Sequence, residues 1–311
     1  MNSQTAWVRR GVVVASGVWL WASAGLAQPP ANRPAAAPPP GGQRVARQTA
    51  PRLECRPPAN QPLANRSSSN RPTSSRPALH PPAVAEAIRQ VEISLKALEQ
   101  VDDYSCVLVK RERIGGSLSA NEHLAIKLRH DPYSVYVRYL SPDRVRGQEA
   151  IYVHGLNQNH LLAHPNGLTG RLVRMVKLDP LGKRAMEGNR YPITELGVKR
   201  LAESWLKEAR HDVQFVACDA KTMRGAKLDG KACTCVELTR RQRHHDLPYQ
   251  MTRLFIDAES QFPIRYEAYE WSLRPGGEPE LAEEYTYRDI QPNCRFVDLD
   301  FDAQNSEYGF R

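Results

Sequence analysis

YSCVLVKRERIGGSLSANEHLAIKLR, residues 104–129, is where the chain stops repeating like a helix and starts repeating like a strand. Upstream, Val84, Ile88, Val91, Leu95 and Leu98 recur every three or four residues behind Pro81 and Pro82, which predicts a helix from 83 to about 100. Inside the quoted stretch Gly115 and Gly116 supply a turn, and Leu124, Ile126 and Leu128 then alternate onto one face. The same alternation continues through SVYVRYL, EAIYVHG and HLLAHP, with short polar turns between them. Alternation broken by turns every eight to twelve residues describes an antiparallel meander.

A second helical face, Leu196, Val198, Leu201, Ala202, Trp205, Leu206 and Ala209, runs to about His211. Strands resume with VQFVACDA, turns at Gly225 and Gly230, then ACTCVELTR, MTRLFIDAE, FPIRYEAYEWSL and LAEEYTYRDI. The fold class is therefore α+β. An antiparallel sheet of about nine or more strands is too wide to stay flat, and the helices are the available material for its concave side.

The N-terminal part is read apart from this fold. Arg9 and Arg10 precede an apolar run, 11–26, and small residues flank the end at Gly25 and Ala27, so residues 1–27 are read as a signal peptide. The run is about 16 residues, short for a spanning helix. Residues 28–82 hold 14 of the chain's 24 prolines among Ala, Ser, Asn and Gln and have almost no aliphatic periodicity. They are expected to form a disordered Pro/Arg-rich linker, with the folded domain at 83–311. Leader and linker carry ten arginines against Glu54, which accounts for the whole net charge of +9 and leaves 33 basic and 33 acidic residues beyond them. The folded part thus gives no electrostatic case for nucleic acid, while the arm suits an anionic envelope surface. The chain is expected to be exported and periplasmic or envelope-associated.

Several stretches together resemble a known family: PYSVYVRYLSP (132–142), AIYVHG (150–155), LFID (254–257), FPIRY (262–266), YTYRDI (285–290), and Phe296 to Phe301 with Asn293 before it. They are similar to a secreted planctomycete family described as a domain of unknown function, fifteen seventy-one, within the lipoprotein-carrier superfamily typified by the lipoprotein localisation factor. The resemblance covers roughly 83–301. It implies an open half-barrel whose helices plug an apolar concavity that in relatives accepts acyl chains or a lipoprotein segment, with neither cofactor nor catalysis.

Candidate residues follow from that surface. Leu124, Ile126, Leu128, Val135, Val137 and Tyr139 alternate along neighbouring strands and Trp205 lies on the second helix. In a plugged half-barrel core and ligand cavity are one surface, so these seven are the expected ligand-binding residues. The expected partner is a lipid or an acylated protein. The alternative is an envelope-associated structural or regulatory scaffold with a filled core, and a further one a metal-dependent enzyme at a His154/His160 hairpin. No G-x-S-x-G, H-E-x-x-H or P-loop occurs, and Glu112, Glu149, Glu195 and Asp257 read as scattered carboxylates. No catalytic residue, metal ligand or cofactor is therefore assigned. CTCVELTRRQRHHD, 233–246, looks like a metal site by composition. An extended strand, however, carries His244 about 30 Å from Cys235, so it is read as a strand entering a basic hairpin tip. Cys233 and Cys235 are either buried small residues, or one of them pairs with Cys218.

Overall fold

The computed structural model describes residues 81–274 and 276–310. The signal-peptide and linker expectations fall outside them, apart from Pro81 and Pro82. In chain order the elements are α1 (Pro82–Leu98), β1 (Asp103–Ile114), β2 (Ser117–Leu118), β3 (Glu122–Arg129), β4 (Ser134–Ser141), β5 (Glu149–Val153), β6 (Leu161–His164), α2 (Gly167–Leu172), β7 (Val176–Leu178), α3 (Lys183–Met186), α4 (Val198–Asp212), β8 (Cys218–Leu228), β9 (Lys231–Arg240), β10 (Tyr249–Asp257), β11 (Pro263–Glu270) and β12 (Glu280–Pro292). Pro82 fits the first helical position because it has no N–H to leave unpaired there.

All pairings are antiparallel and join the strands into one sheet, β7-β6-β5-β4-β3-β1-β12-β11-β10-β9-β8, with β2 paired to β1 alone. The path does not close on itself, so this is an open half-barrel. Irregularities bend the strands at Ser105/Val107, His123/Leu124, Arg224/Ala226 and Ala268/Tyr269. Each extra residue adds local twist, which turns a wide sheet into a trough.

Both long helices pack on the inner face. Val84, Ala87, Val91 and Leu98 of α1 and Val198, Ala202, Trp205 and Ala209 of α4 join one core with Tyr104, Leu108, Leu128, Val236, Leu254 and Tyr287. The outer face carries two smaller cores. One lies under the C-terminal segment, where Phe301, Tyr308 and Phe310 cover Tyr136, Ile151 and Val153. The other holds Leu228, Cys233, Cys235 and Phe255.

Three expectations are corrected. Residues 213–217 are not strand: β8 begins at Cys218, and Gly225 is a bulge inside it, with φ +74°, rather than a turn. A glycine at positive φ marks both features in a sequence, and only the strand continuing beyond it tells them apart. The segments α2, β7 and α3 went unanticipated because each is too short for periodicity to register. The Cys218 pairing also fails. Cys218 is a free thiol of the inner core opposite Arg240, whereas Cys233 and Cys235 lie in an outer-face core, and Cys235 is likewise a free thiol.

Gly197 fixes how α4 enters the trough. Its φ is +118°, and a β-carbon there would stand 2.7 Å from Leu128 Cδ1 and 2.9 Å from the Tyr104 hydroxyl. The Gly197 and Val198 N–H groups donate to Tyr287 Oη (3.2 Å) and Tyr104 Oη (3.0 Å), so buried tyrosines satisfy the helix's first amides. Gly197→Ala is expected to cost about 2 kcal/mol or more in urea unfolding, from backbone strain and overpacking together. A loss below about 0.5 kcal/mol would show that α4 can enter another way.

Candidate functional site

The inner face divides along its strands into an apolar part and a charged part. In the apolar part the seven expected residues do meet. Leu124 pairs with Tyr139, Ile126 with Val137 and Leu128 with Val135 across β3 and β4, and Trp205 of α4 packs into the same core. Tyr139 is half-buried and the other six are buried, so α1 and α4 occupy the place where the sequence puts a ligand.

This core is not wholly apolar. The Trp205 indole Nε1 and the Thr252 Oγ1 are buried with no hydrogen-bond partner among the described residues. Thr252 lies between Leu238 and Ala268, both inner-face core residues. A buried donor or hydroxyl left unpaired costs about 1–3 kcal/mol, so two on one surface need a reason.

The charged part continues the same strand phase. Tyr104, Cys106 and Leu108 of β1 face inward, and Lys110 and Glu112 follow in step. Lys110 Nζ donates to Glu112 Oε2 at 3.1 Å and lies 3.4 Å from Glu122 Oε2. Burial works against its charge, but Glu112 and Glu122 outweigh it and hold the ammonium above its ordinary pKa. Tyr285 donates a short hydrogen bond to Glu112, which pairs with Glu283 across β1 and β12. Glu112, read as scattered in the sequence, is thus part of a carboxylate group.

The connection between α3 and α4 crosses this group and inserts Asn189, Arg190 and Tyr191. Asn189 Oδ1 accepts from Lys110 Nζ at 2.6 Å. Arg190 donates to the Arg113 carbonyl (2.9 Å) and Tyr249 Oη (3.1 Å), and its Nε lies 2.9 Å from Glu283 Oε2, a close ion pair without an aligned hydrogen bond. Tyr191 donates to Glu283 Oε1 at 2.8 Å. Glu283 is 0% exposed, and burial pushes its carboxyl up to about 8 despite Arg190. Nearby Glu208 of α4 is pushed up to about 7, again by burial first. On the far side of α4, Arg240 Nε donates to Asp212 Oδ2 at 2.6 Å and ties the helix's end to β9. The charged end is therefore closed over by its own chain.

Elsewhere, a recess of about 110 Å³ lies at the start of α4 between His130, Tyr133, Lys199, Arg200 and Glu203. Burial, then Lys199 and Arg200, push His130 down to about 4, so it is neutral at physiological pH. Glu203 pairs with Arg200 at 3.3 Å and offsets the basic lining.

The histidines are placed as follows. His154 is exposed in the β5–β6 turn, and His160 Nδ1 lies 2.9 Å from the Gln158 carbonyl, so that ring nitrogen is engaged within its own loop. At the β9–β10 tip the ligand atoms of His244, His245 and Asp246 lie within 4.8 Å of one another. Asp246 N–H donates to His244 Nδ1 at 3.3 Å, and His245 Nε2 sits 3.0 Å from Asp246 Oδ2, so the turn uses these groups internally. Cys235 lies five residues earlier on β9 than Arg240, where the strand ends, so cysteines and histidines stay apart.

Among known proteins, the model of a family described as a protein of unknown function, DUF1571, matches residues 101–310. No curated protein matches. Solved structures with a similar course include an outer membrane lipoprotein-sorting protein domain from Vibrio parahaemolyticus, at 10% identity over 73% of this chain and 100% of that one, with a TM-score of 0.36. The lipoprotein LppX of Mycobacterium tuberculosis follows at 12%, over 66% and 95%, with 0.37. The MucA/MucB complex of Pseudomonas aeruginosa gives 16%, over 70% of this chain but only 60% of that one, with 0.39. At such identities and scores, function has to be read from this chain's own geometry.

The raised Glu283 carboxyl has a pH consequence. Its folded pKa of about 8 exceeds the ordinary glutamate value of 4.5, so the fold favours the neutral acid. The stability it contributes is full below about 4.5 and is lost as pH rises through about 8. Glu283→Gln is expected to shrink the stability difference between pH 5 and pH 8, measured by denaturant titration at both. Arg190→Ala should have the reverse effect, costing about 3–5 kcal/mol where Glu283 is ionised and less at pH 5. Equal effects at the two pH values would show that Glu283 does not titrate there.

Proposed function

The chain belongs to the DUF1571 family of proteins of unknown function, and from that premise we propose that it is an exported, non-enzymatic binding module for a lipid-like or acylated ligand. The ligand's apolar body would lie against β3, β4 and their neighbours, in space that α1 and α4 fill when it is absent. What carries this is a pair of polar atoms, Trp205 Nε1 and Thr252 Oγ1, that have no partner among the described residues on an otherwise apolar inner surface. An ester or amide carbonyl on an apolar chain would satisfy the indole N–H and keep the surroundings dry. The lack of catalytic function is supported by the enclosure of the two most perturbed carboxylates. Glu283 is wholly buried behind Arg190 and Tyr191, and one Glu208 oxygen is buried with no partner among the described residues.

A filled-core scaffold that recognises another protein is the alternative, and one observation favours it. Leu124, Ile126, Leu128, Val135, Val137 and Trp205 are each at most 5% exposed, as in a finished core.

The two are separated by native mass spectrometry and organic extraction of full-length protein taken from its own host. The carrier is expected to hold an extractable lipid, and Trp205→Phe, which removes the N–H but keeps the ring, should lower lipid occupancy at unchanged or raised stability. Bare polypeptide mass with an empty extract would leave the scaffold. Undiminished occupancy in Trp205→Phe would remove the indole from the binding role.

A further inference from the structure

The edge of the sheet around β7 carries an unusual concentration of exposed apolar side chains. Leu172 is 85% exposed, Val173 43%, Met175 50% and Leu181 47%. They flank the three-residue strand β7 on either side. Leu156, 58% exposed in the β5–β6 turn, is brought to the same rim, because Leu161 pairs with Leu178 and Lys177 Nζ donates to Gln158 Oε1 at 3.0 Å. Water-exposed leucine and methionine side chains this close together are rare on a surface without a partner.

The charges between them say which partner. Over 172–186 the chain carries Arg174, Lys177, Lys183 and Arg184 against the single acid Asp179. Asp179 is exposed but engaged within its own loop, accepting the Leu181 N–H at 3.0 Å. The folded part as a whole is neutral, with 33 basic and 33 acidic residues, so this excess of three is local and is set against a net −3 in the rest of the domain. A protein interface tends to exclude lysine from its apolar centre. Apolar side chains interleaved with lysine and arginine instead match the two layers of a lipid surface, with acyl chains beneath and phosphates above.

We propose that the rim formed by residues 172–186 and Leu156 seats the folded domain on an anionic lipid surface, with Leu172, Met175 and Leu181 entering the acyl boundary and Arg174, Lys177 and Lys183 meeting the phosphates. The contact is separate from any attraction of the arginine-rich arm, because it is built into the sheet's edge. It also stands independently of the carrier function: a solid scaffold could dock by the same rim.

The test uses the full chain and sedimentation with phosphatidylglycerol/phosphatidylcholine vesicles, against phosphatidylcholine alone. Leu172→Ser/Met175→Ser and Arg174→Glu/Lys177→Glu alter exposed positions and leave the core untouched. Each pair is expected to weaken partitioning onto the anionic vesicles by about tenfold or more. Leu172→Trp reports location: its emission should shift to the blue and be quenched by brominated acyl chains on anionic vesicles only. Three outcomes overturn the proposal. Equal partitioning of wild type and both variants is one. A bound but unquenched Leu172→Trp, meaning that the arm alone holds the protein, is another. The third is unchanged partitioning by a serine variant that instead dissolves a dimer in sedimentation without vesicles, which would assign the rim to a second copy.

Discussion

The architecture depends on the pairing of β1 with β12. Each half of the chain makes its own meander, β3 to β7 on one side and β11 back to β8 on the other, and only this pair joins them into one sheet. The partners are far apart in sequence: Glu112 and Tyr285, 173 residues apart, meet across it. A closure so distant costs chain entropy before any contact rewards it, so the junction needs fixed ends. One end is fixed by Asp103, whose carboxylate accepts from the Arg295 and Phe296 N–H groups at 3.1 and 2.8 Å, and by Asn293, which bonds Asp102 and Gln100. The other end is fixed by the charged group of Lys110, Glu112, Glu283 and Tyr285.

Seen from that junction, the buried charges and the helices have one geometry. The inserted Asn189-Arg190-Tyr191 crosses the seam at its charged end, and six residues later Gly197 starts α4 over its apolar end. The connection that holds the charges therefore also sets where the helix begins. Buried ion pairs seldom add much net stability over an apolar filling. Their geometric demand is what counts here: Glu283 accepts only a chain that delivers Arg190 and Tyr191 together.

Much of the fold was legible in the sequence. Helical spacing gave α1 and α4 to within about two residues, and period-two runs gave the meander on both sides of them. The seven apolar residues do share one core. The charged group was missed because alternating polar residues on a strand normally face water. A signal existed nonetheless: Lys110 and Glu112 continue the phase of Tyr104, Cys106 and Leu108, so an inward face for one implied it for all. Nothing local announced Arg190, since its partners lie on β1, β10, β11 and β12. The unpaired Trp205 nitrogen and the exposed rim are likewise facts of three-dimensional placement, invisible until the neighbours of each atom are known.

Among the described residues the open sheet has two unpaired edges, and each could template another molecule's strand. The β8 edge exposes Lys221, Arg224 and Lys227, so a copy adding itself there would bring cation against cation. The β7 edge offers only three residues, Val176 to Leu178, too few for a lasting ladder. One side thus resists extension by charge and the other by brevity, and the trough can stay open at a high concentration of its own kind without growing into a fibre.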